Sequence, residues 1–204
     1  MEIIRDINPT PRYLSQRDNI NPYTKKSDPH NQCMVACFTM LANWLGDRLN
    51  IPELSNYQEI EHLKIVGRSA KEIEQRRYSS LNHADAVNTF LKKLGVSQKL
   101  VSGVFNYTQV KNICKEKKSP VEVGSMVTKA GHIILYIGNG EWHDPYGKCS
   151  ENTLSYSGNS FTLDGSFVKY TEKFVNERIF RNVDSLGNTT KINVPRTCWY
   201  YSGL

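Results

Sequence analysis

The longest apolar run of the chain extends from Met34 to Leu45, within the stretch CMVACFTMLANWLG. Its hydrophobic side chains occupy nearly every face of a helical wheel, and this pattern predicts a helix that is buried on all sides. Gly46, which follows the run, is a typical helix-ending residue. Cys33 stands at the start of the predicted helix, where free backbone N–H groups and the positive end of the helix dipole favour a thiolate.

Two further segments have the one-sided hydrophobic spacing of surface helices. In NHADAVNTFLKKLG, Asn82 is a candidate N-cap, Asp85 falls in the first turn and Gly95 closes the segment. The segment YTQVKNICKEKK predicts another short helix, which ends before Pro120. The apolar face of the first segment comprises Val87, Phe90, Leu91 and Leu94.

After Pro120 the pattern changes to short β-rich runs. PVEVGSMV, GHIILYIG and EWHD are separated by turn residues, and the pair Asn139–Gly140 predicts a tight hairpin between the second and third runs. We therefore expect neighbouring antiparallel strands and an α+β fold with the helices first and the sheet second. The predicted organisation is one domain, 1–204, with an extended arm at 1–31, a mainly helical part at 32–118 and a mainly β part at 119–204.

Composition and charge exclude several classes of protein. Hydrophobic residues make up 39% and charged residues 23% of the 204 positions, as in globular rather than disordered chains. No run approaches the roughly 18 apolar residues of a membrane span, and no nucleic-acid-binding signature accompanies the net charge of +6. The start MEIIRDINPT carries charge and proline where a signal peptide needs apolar residues, which predicts synthesis in a cytoplasm.

Five cysteines at irregular spacing do not form the dense pattern of a small disulfide framework. Cys114 is expected in the core of its amphipathic helix. Cys37 lies one helical turn after Cys33, and we expect it to pack behind that residue, with a redox role as the alternative. Pairing between Cys149 and Cys198 in an oxidising compartment is left open by the sequence.

The chain also contains the partners that a nucleophilic cysteine requires: a base within hydrogen-bond reach and a third group that orients the base. His132 opens the run GHIILYIG, and Asp144 ends the next run twelve positions later, across the hairpin. We expect both side chains at one end of neighbouring strands, where the helix start with Cys33 can dock. His132 would then act as the base, and Asp144 would fix its tautomer.

Five short blocks follow one another along the chain: YLSQRDN (13–19), CMVACFTMLANWLG (33–46), SPVEVG (119–124), GHIILYIG (131–138) and DPYG (144–147). Together they resemble the motifs of papain-like cysteine peptidases, in the branch that contains the double-glycine leader peptidases and their phage and bacterial relatives. The resemblance implies a papain-like fold, in which a central buried helix bearing the nucleophile packs on a twisted antiparallel sheet. It implies the nucleophile Cys33, the base His132 and the orienting carboxylate Asp144. It also implies that Gln16 helps the Cys33 backbone N–H to bind the oxyanion.

Two alternatives remain open for these residues. Gln32, adjacent to the thiol, is a second candidate for the oxyanion donor. A metal site is a less favoured interpretation, because the residues lack both the Cys-x-x-Cys spacing and a histidine pair on one helix. Its four ligands would be Cys33, Cys37, His132 and His143.

The remaining histidines and aromatic residues are expected in other roles. Neighbouring residues of a strand point to opposite faces, so His143 is expected to face away from a site that contains Asp144. We expect surface positions for His30, His62 and His83. Core packing is favoured over a place in a substrate cleft for Trp142, Tyr146 and Trp199.

The predicted function is hydrolysis of an amide or peptide bond through a thiolate nucleophile and an acyl-enzyme. The favoured substrate is a peptide of the bacterial cell wall, cut by a phage or bacterial peptidase or amidase of endolysin type, and the positive charge would assist binding to anionic wall polymers. Such an enzyme, without cofactor or metal, would leave the cytoplasm for the cell wall or be packaged in a virion. The alternatives are a cytoplasmic protein-processing peptidase and an inactive binding or inhibitor protein of papain fold.

Overall fold

A computed structural model describes residues 7–18, 32–59, 61–62, 83–128, 130–153, 156 and 164–204. Among these residues the helices are α1 (Cys33–Leu49), α2 (Pro52–Ser55), α3 (His83–Lys93), α4 (Tyr107–Lys117) and α5 (Glu172–Phe174). A 3₁₀ turn spans Gln16–Asp18, and a π-helical turn at Val175–Ile179 continues α5. Within these described ranges, no helix has the length and apolar character needed to cross a membrane.

Helices and an antiparallel sheet make up the fold, so the predicted α+β class is confirmed. Six strands form one sheet in the order β1-β8-β2-β3-β4-β5, while β6 pairs with β7. The strands are β1 (Lys99–Phe105), β2 (Val121–Ser125), β3 (His132–Tyr136), β4 (Glu141–His143), β5 (Val168–Lys169), β6 (Asn182–Val183), β7 (Thr189–Lys191) and β8 (Arg196–Ser202).

Helix α1 is the buried helix that the apolar run predicts, and every residue from Val35 to Gly46 is buried. The prediction that Gly46 ends the helix is wrong. A Cβ atom at Gly46 would lie 2.5 Å from the carbonyl carbon of Leu54, so this glycine permits the close approach of α2. The helix ends at Leu49, and Asn50 takes the left-handed conformation that closes it, with φ of 55°.

The two amphipathic segments form α3 and α4, as predicted. The buried face of α3 includes Val87 and Leu91, whereas the candidate cap Asn82 lies outside the described residues. Helix α4 begins with a reciprocal cap: the Asn106 side chain accepts from the Gln109 N–H, and the Gln109 side chain accepts from the Asn106 N–H. These interactions fix the start of α4 directly after β1.

The hairpin between β3 and β4 turns at Asn139 and Gly140, as predicted. Both residues have positive φ, 52° and 74°, and the Glu141 N–H donates to the Gly138 carbonyl at 2.8 Å. Such a turn twists in the sense that antiparallel strands require. It sets β3 beside β4 and brings the start of β3 close to the end of β4.

The carboxyl-terminal strand β8 lies inside the sheet and pairs with both β1 and β2. Trp199, for example, stands opposite Ser102 on one side and Glu122 on the other. The segment TKINVPRTCWYY reads as strand-like, but its pattern does not show that it would enter the sheet between two earlier strands. The predicted order of helices before sheet also differs at β1, which precedes α4.

Two histidines expected at the surface lie in the core, so that prediction is wrong. His62 and His83 are each 1% exposed, and the ring of Phe38 packs against both. His83 Nε2 also lies 3.5 Å from a carboxylate oxygen of Glu122, which is itself fully buried. Aromatic contacts thus surround both imidazoles, and a carboxylate faces that of His83 alone. The third residue of that prediction, His30, lies outside the described residues.

Candidate active site

Cys33 is the first residue of α1 and the only partly exposed cysteine, since the other four cysteines are buried. All five thiols are free, so the structure shows no disulfide between Cys149 and Cys198. The first turn of α1, which the structure describes completely, carries no acidic side chain. The unpaired N–H groups of the helix end therefore provide a positive environment for a thiolate, without a nearby carboxylate on that turn to oppose it.

His132 is the first residue of β3 and connects the thiol to the carboxylate. Its Nε2 lies 2.7 Å from Oδ1 of Asp144, and its ring also makes a hydrogen-bonding contact with Cys33. A carboxylate only accepts, so the proton shared with Asp144 belongs to Nε2, and Nδ1 is left for the thiol. Gly131 precedes the histidine with φ of +81°, a conformation that suits glycine.

The charge balance at this site favours an imidazolium. Burial alone would lower the pKa of His132, but the charge of Asp144 and its hydrogen bond act in the opposite direction. The hydrogen bond and charge of Cys33 add to this effect, and together they raise the pKa of His132 to about 10. A protonated His132 stabilises a thiolate at Cys33, which is the nucleophilic form of cysteine.

Asp144 follows β4 directly, is completely buried and accepts hydrogen bonds on both carboxylate oxygens. Oδ1 accepts a hydrogen bond from His132 Nε2 and another, at 3.1 Å, from the backbone N–H of Tyr146. Oδ2 accepts hydrogen bonds from the hydroxyl groups of Tyr156, at 2.7 Å, and Tyr170, at 3.0 Å. Four donors therefore stabilise the negative charge of this carboxylate away from solvent.

The backbone of Asp144 is also held in place. Its N–H donates to the Gly165 carbonyl at 2.9 Å, and its own carbonyl accepts from the Tyr13 hydroxyl at 3.0 Å. The Gly165 N–H in turn donates to the same Tyr13 oxygen at 3.1 Å. Tyr13 belongs to the predicted arm, so the arm contributes directly to the position of Asp144.

Gln16 is placed at the border of this site by its backbone. Its N–H donates to the Pro145 carbonyl at 2.8 Å, and its side chain is buried. The 3₁₀ turn that contains it also contacts α1. Gln32 is the residue before α1 and is buried as well, but its side chain makes no capping hydrogen bond with the helix. The choice between the two glutamines as oxyanion donor stays a prediction.

His143 points to the other side of β4, as the alternation of a strand predicts. Its Nε2 donates to the Pro11 carbonyl at 2.8 Å, and its Nδ1 accepts from the Phe167 N–H at 3.2 Å. Both ring nitrogens are therefore engaged in holding the arm and the segment before β5. Of His132 and His143, His132 is therefore the one that faces the thiol.

Cys37 packs behind the site in the core, with its sulfur 3.5 Å from the Ile133 carbonyl oxygen. Burial, followed by the charges of Glu122, Cys33 and Asp144, raises the pKa of Cys37 well above its ordinary value. In the part of the chain that the structure describes, no group of three or more His, Cys, Asp and Glu side chains is arranged to hold a metal ion. The metal interpretation of Cys33, Cys37, His132 and His143 therefore has no geometric support.

Sequence reasoning missed the aromatic surroundings of the imidazole. The rings of Tyr146 and Tyr156 meet His132 edge-on, at centroid distances of 6.4 and 5.4 Å, and Arg17 lies over the Tyr146 ring. Trp142 and Trp199 are buried in the core as expected, whereas Tyr146 is partly exposed beside His132. No motif or spacing marks Tyr156, because its contact with the site comes from chain folding beyond β4.

Comparison with known proteins adds no family to this picture. No protein-family model matches the chain, and no curated protein matches it at a significant level.

Proposed function

We propose that this chain is a cysteine-dependent amide hydrolase of papain-like type. One observation carries the proposal: the only partly exposed thiol lies at a helix start and contacts an imidazole whose other nitrogen is 2.7 Å from a buried carboxylate. A nucleophile, a base and an orienting group in this order are the parts that acyl transfer requires. The sequence resemblance to papain-like peptidases supports the same assignment of Cys33, His132 and Asp144.

In the proposed reaction, the Cys33 thiolate attacks the carbonyl carbon of an amide while His132 is held as an imidazolium by Asp144. The negative charge of the tetrahedral intermediate is stabilised by the Cys33 backbone N–H and by a glutamine side chain, for which Gln16 is favoured. His132 then protonates the leaving amine, and an acyl-enzyme remains on Cys33. Water, deprotonated by neutral His132, attacks the acyl-enzyme and releases the acid and the thiolate.

The proposed substrates are peptides of the bacterial cell wall. The net charge of +6 favours binding to anionic wall polymers. The sequence blocks that resemble phage and bacterial members of the family point to the same class of substrate. The proposed place of action is therefore the cell wall, reached by release from the producing cell or from a virion.

Selective alkylation tests the assignment of the nucleophile without a known substrate. Limiting iodoacetamide at pH 6–7 should modify Cys33 first, because it alone has exposure, a helix end and an imidazole beside it. Mass spectrometry of digested protein identifies the site, and Cys33→Ala serves as the control. Preferential labelling of Cys37, Cys149 or Cys198, with Cys33 intact, would refute the assignment.

Digestion of purified peptidoglycan then tests the substrate. Wild-type protein should release peptide fragments or free amines, and Cys33→Ala protein should not. Cleavage of unfolded protein substrates without any effect on peptidoglycan would indicate a protein-processing peptidase instead. A reactive Cys33 with no turnover of either material would indicate an inactive binding protein of the same fold.

A further inference from the structure

Two tyrosine hydroxyl groups converge on the carboxylate oxygen of Asp144 that does not face His132. Tyr156 donates to Oδ2 at 2.7 Å, and Tyr170, which directly follows β5, donates to the same oxygen at 3.0 Å. Both side chains are buried. The catalytic scheme proposed above uses neither hydroxyl, so their convergence on one buried oxygen requires a separate explanation.

The hydroxyls are fixed as donors. Burial, followed by the charge of Asp144, raises the pKa of both tyrosines well above the ordinary value of a phenol, so both keep their protons near neutral pH. The Tyr170 oxygen also accepts from the Cys149 N–H at 3.0 Å. With that side of the oxygen occupied, the Tyr170 proton is directed to Asp144.

We propose that Tyr156 and Tyr170 are positioning residues that lock the carboxylate plane of Asp144 and thereby hold His132 in line with Cys33. This inference rests on the proposed function. With both tyrosines on Oδ2 and the Tyr146 N–H on Oδ1, rotation of the carboxylate would break several hydrogen bonds at once. Oδ1 therefore stays directed at the imidazole.

Loss of one tyrosine hydroxyl should make the orientation of the Asp144 carboxylate less fixed. A hydrogen bond to a charged group contributes enough that its removal corresponds to roughly a ten- to hundredfold effect. With Oδ1 of Asp144 less well directed at the imidazole, the imidazolium form of His132 is less favoured. Cys33 should then become reactive only at a higher pH than in the wild-type protein.

The test compares Tyr156→Phe and Tyr170→Phe with a matched control, Tyr201→Phe. Tyr201 is also fully buried in the sheet, but its hydroxyl makes no hydrogen bond to any residue that the structure describes. We expect Cys33 alkylation by iodoacetamide at neutral pH to slow roughly tenfold or more in each of the first two variants. The pH profile should move to higher pH in both, whereas Tyr201→Phe should match the wild type.

A second comparison separates positioning from a general loss of structure. In an Asp144→Asn background, replacing either tyrosine by phenylalanine should change the alkylation profile no further, because both hydroxyls act through that carboxylate. Equal losses in the wild-type and Asp144→Asn backgrounds would overturn the inference. Melting temperatures identify any unfolded variant, and since each hydroxyl donates independently, either tyrosine alone suffices for the test.

The two proposals fail in different ways. If Cys33 of the wild-type protein is unreactive at neutral pH, the proposed function fails before any tyrosine is changed. If wild-type Cys33 is reactive and both phenylalanine variants keep its pH profile, the positioning role fails while the proposed function stands. Where peptidoglycan is cleaved, the positioning role also predicts a lower kcat with little change in KM.

Discussion

Asp144 and Glu122 are both completely buried carboxylates, and each one faces a histidine. Asp144 accepts four hydrogen bonds, including one of 2.7 Å from His132. Glu122 in β2 has its histidine, His83, at 3.5 Å, and its oxygens accept no hydrogen bond from the residues that the structure describes. A histidine and a buried carboxylate thus form one closely connected pair and one loosely connected pair.

The two histidines also differ in their access to solvent-exposed groups. His132, the first residue of β3, lies beside the partly exposed thiol of Cys33. His83 is enclosed by the rings of Phe38, His62 and Trp199. A histidine–carboxylate pair therefore does not define a reactive site by itself. Access and a complete set of hydrogen bonds distinguish the site suited to chemistry from the pair that belongs to the core.

The largest expected effect is the loss of activity when the site around the pair of His132 and Asp144, called the Asp144 pair, is changed. Cys33→Ala and His132→Ala should each lower kcat by about four orders of magnitude or more, because the members of such a group act as a unit. The melting temperature of Cys33→Ala should stay near that of the wild type, because Cys33 is partly exposed. His132→Ala should lower it, because the buried Asp144 loses its histidine partner. Peptidoglycan hydrolysis and differential scanning calorimetry measure the two quantities. Ordinary turnover by His132→Ala protein would remove this histidine from the mechanism.

The pair of Glu122 and His83 should affect stability without affecting the reactivity of Cys33. His83→Ala removes a buried ring that packs against Phe38 and Trp199, and such a large-to-small change in the core costs about 2–5 kcal/mol of unfolding free energy. Urea unfolding measures this loss, while the alkylation rate of Cys33 in folded protein should remain that of the wild type. The double variant His83→Leu, Glu122→Leu should recover part of the stability. A stable His83→Ala protein with an unreactive Cys33 would contradict the distinction between the two pairs.

Gln16 is expected to matter for turnover because it borders the Asp144 pair through Pro145. Loss of one oxyanion donor typically lowers kcat about 100- to 1000-fold. Gln16→Ala should show this loss with little change in KM, and Gln32→Ala should have a mild effect. Steady-state kinetics of both variants on one substrate decides between them. The opposite result would assign the oxyanion donor to Gln32 and weaken the resemblance that favours Gln16.

The pH dependence should change when the charge of Asp144 is removed. The raised pKa of His132, about 10, stabilises the folded protein below the ordinary imidazole pKa, and this contribution disappears as the pH rises through about 10. Asp144→Asn removes the strongest influence that raises this pKa, so the pKa of His132 should fall. NMR titration of His132 measures the pKa directly. An unchanged pKa in Asp144→Asn protein would show that the carboxylate does not control the imidazole.

Unfolding measured across the same pH range provides a second check on that prediction. Wild-type protein should lose unfolding free energy between about pH 6.5 and about pH 10 through this group, and Asp144→Asn protein should lose less. His83→Ala provides the matched control, because it should lower stability without removing the pH-dependent contribution of His132.

Local pattern is sufficient to place Cys33, His132 and Asp144 at the ends of their elements, and insufficient for the burial of two histidines in the core. A helix start, a strand start and an Asn–Gly hairpin placed Cys33, His132 and Asp144 in elements that the structure brings together. These features depend on residues near one another in the chain. The burial of His62 and His83 depends on α1 and β2, to which no spacing in the sequence connects them.

The same limit applies to sheet order and to the tyrosines. The place of β8 between β1 and β2 is a long-range pairing that periodicity does not encode. Tyr156 and Tyr170 follow Asp144 by 12 and 26 positions, and only the fold brings their hydroxyls to one carboxylate oxygen. Glycine commonly stands at a helix end, whereas the structure uses Gly46 where α2 packs against α1.

The smallest expected effect comes from a hydroxyl group on the Glu122 side. Burial, followed by the charge of Glu122, raises the pKa of Tyr201, and the hydroxyl has no hydrogen-bond partner among the described residues. Because removal of an unsatisfied buried polar group is neutral or stabilising, Tyr201→Phe should change the unfolding free energy by no more than about 0.5 kcal/mol, or raise it. Tyr170→Phe removes a hydroxyl that Asp144 uses and should lower stability by about 1.5–3 kcal/mol. Urea unfolding of both variants under one condition compares the two hydroxyls directly. A larger loss for Tyr201→Phe than for Tyr170→Phe would reverse the contrast between the two carboxylates.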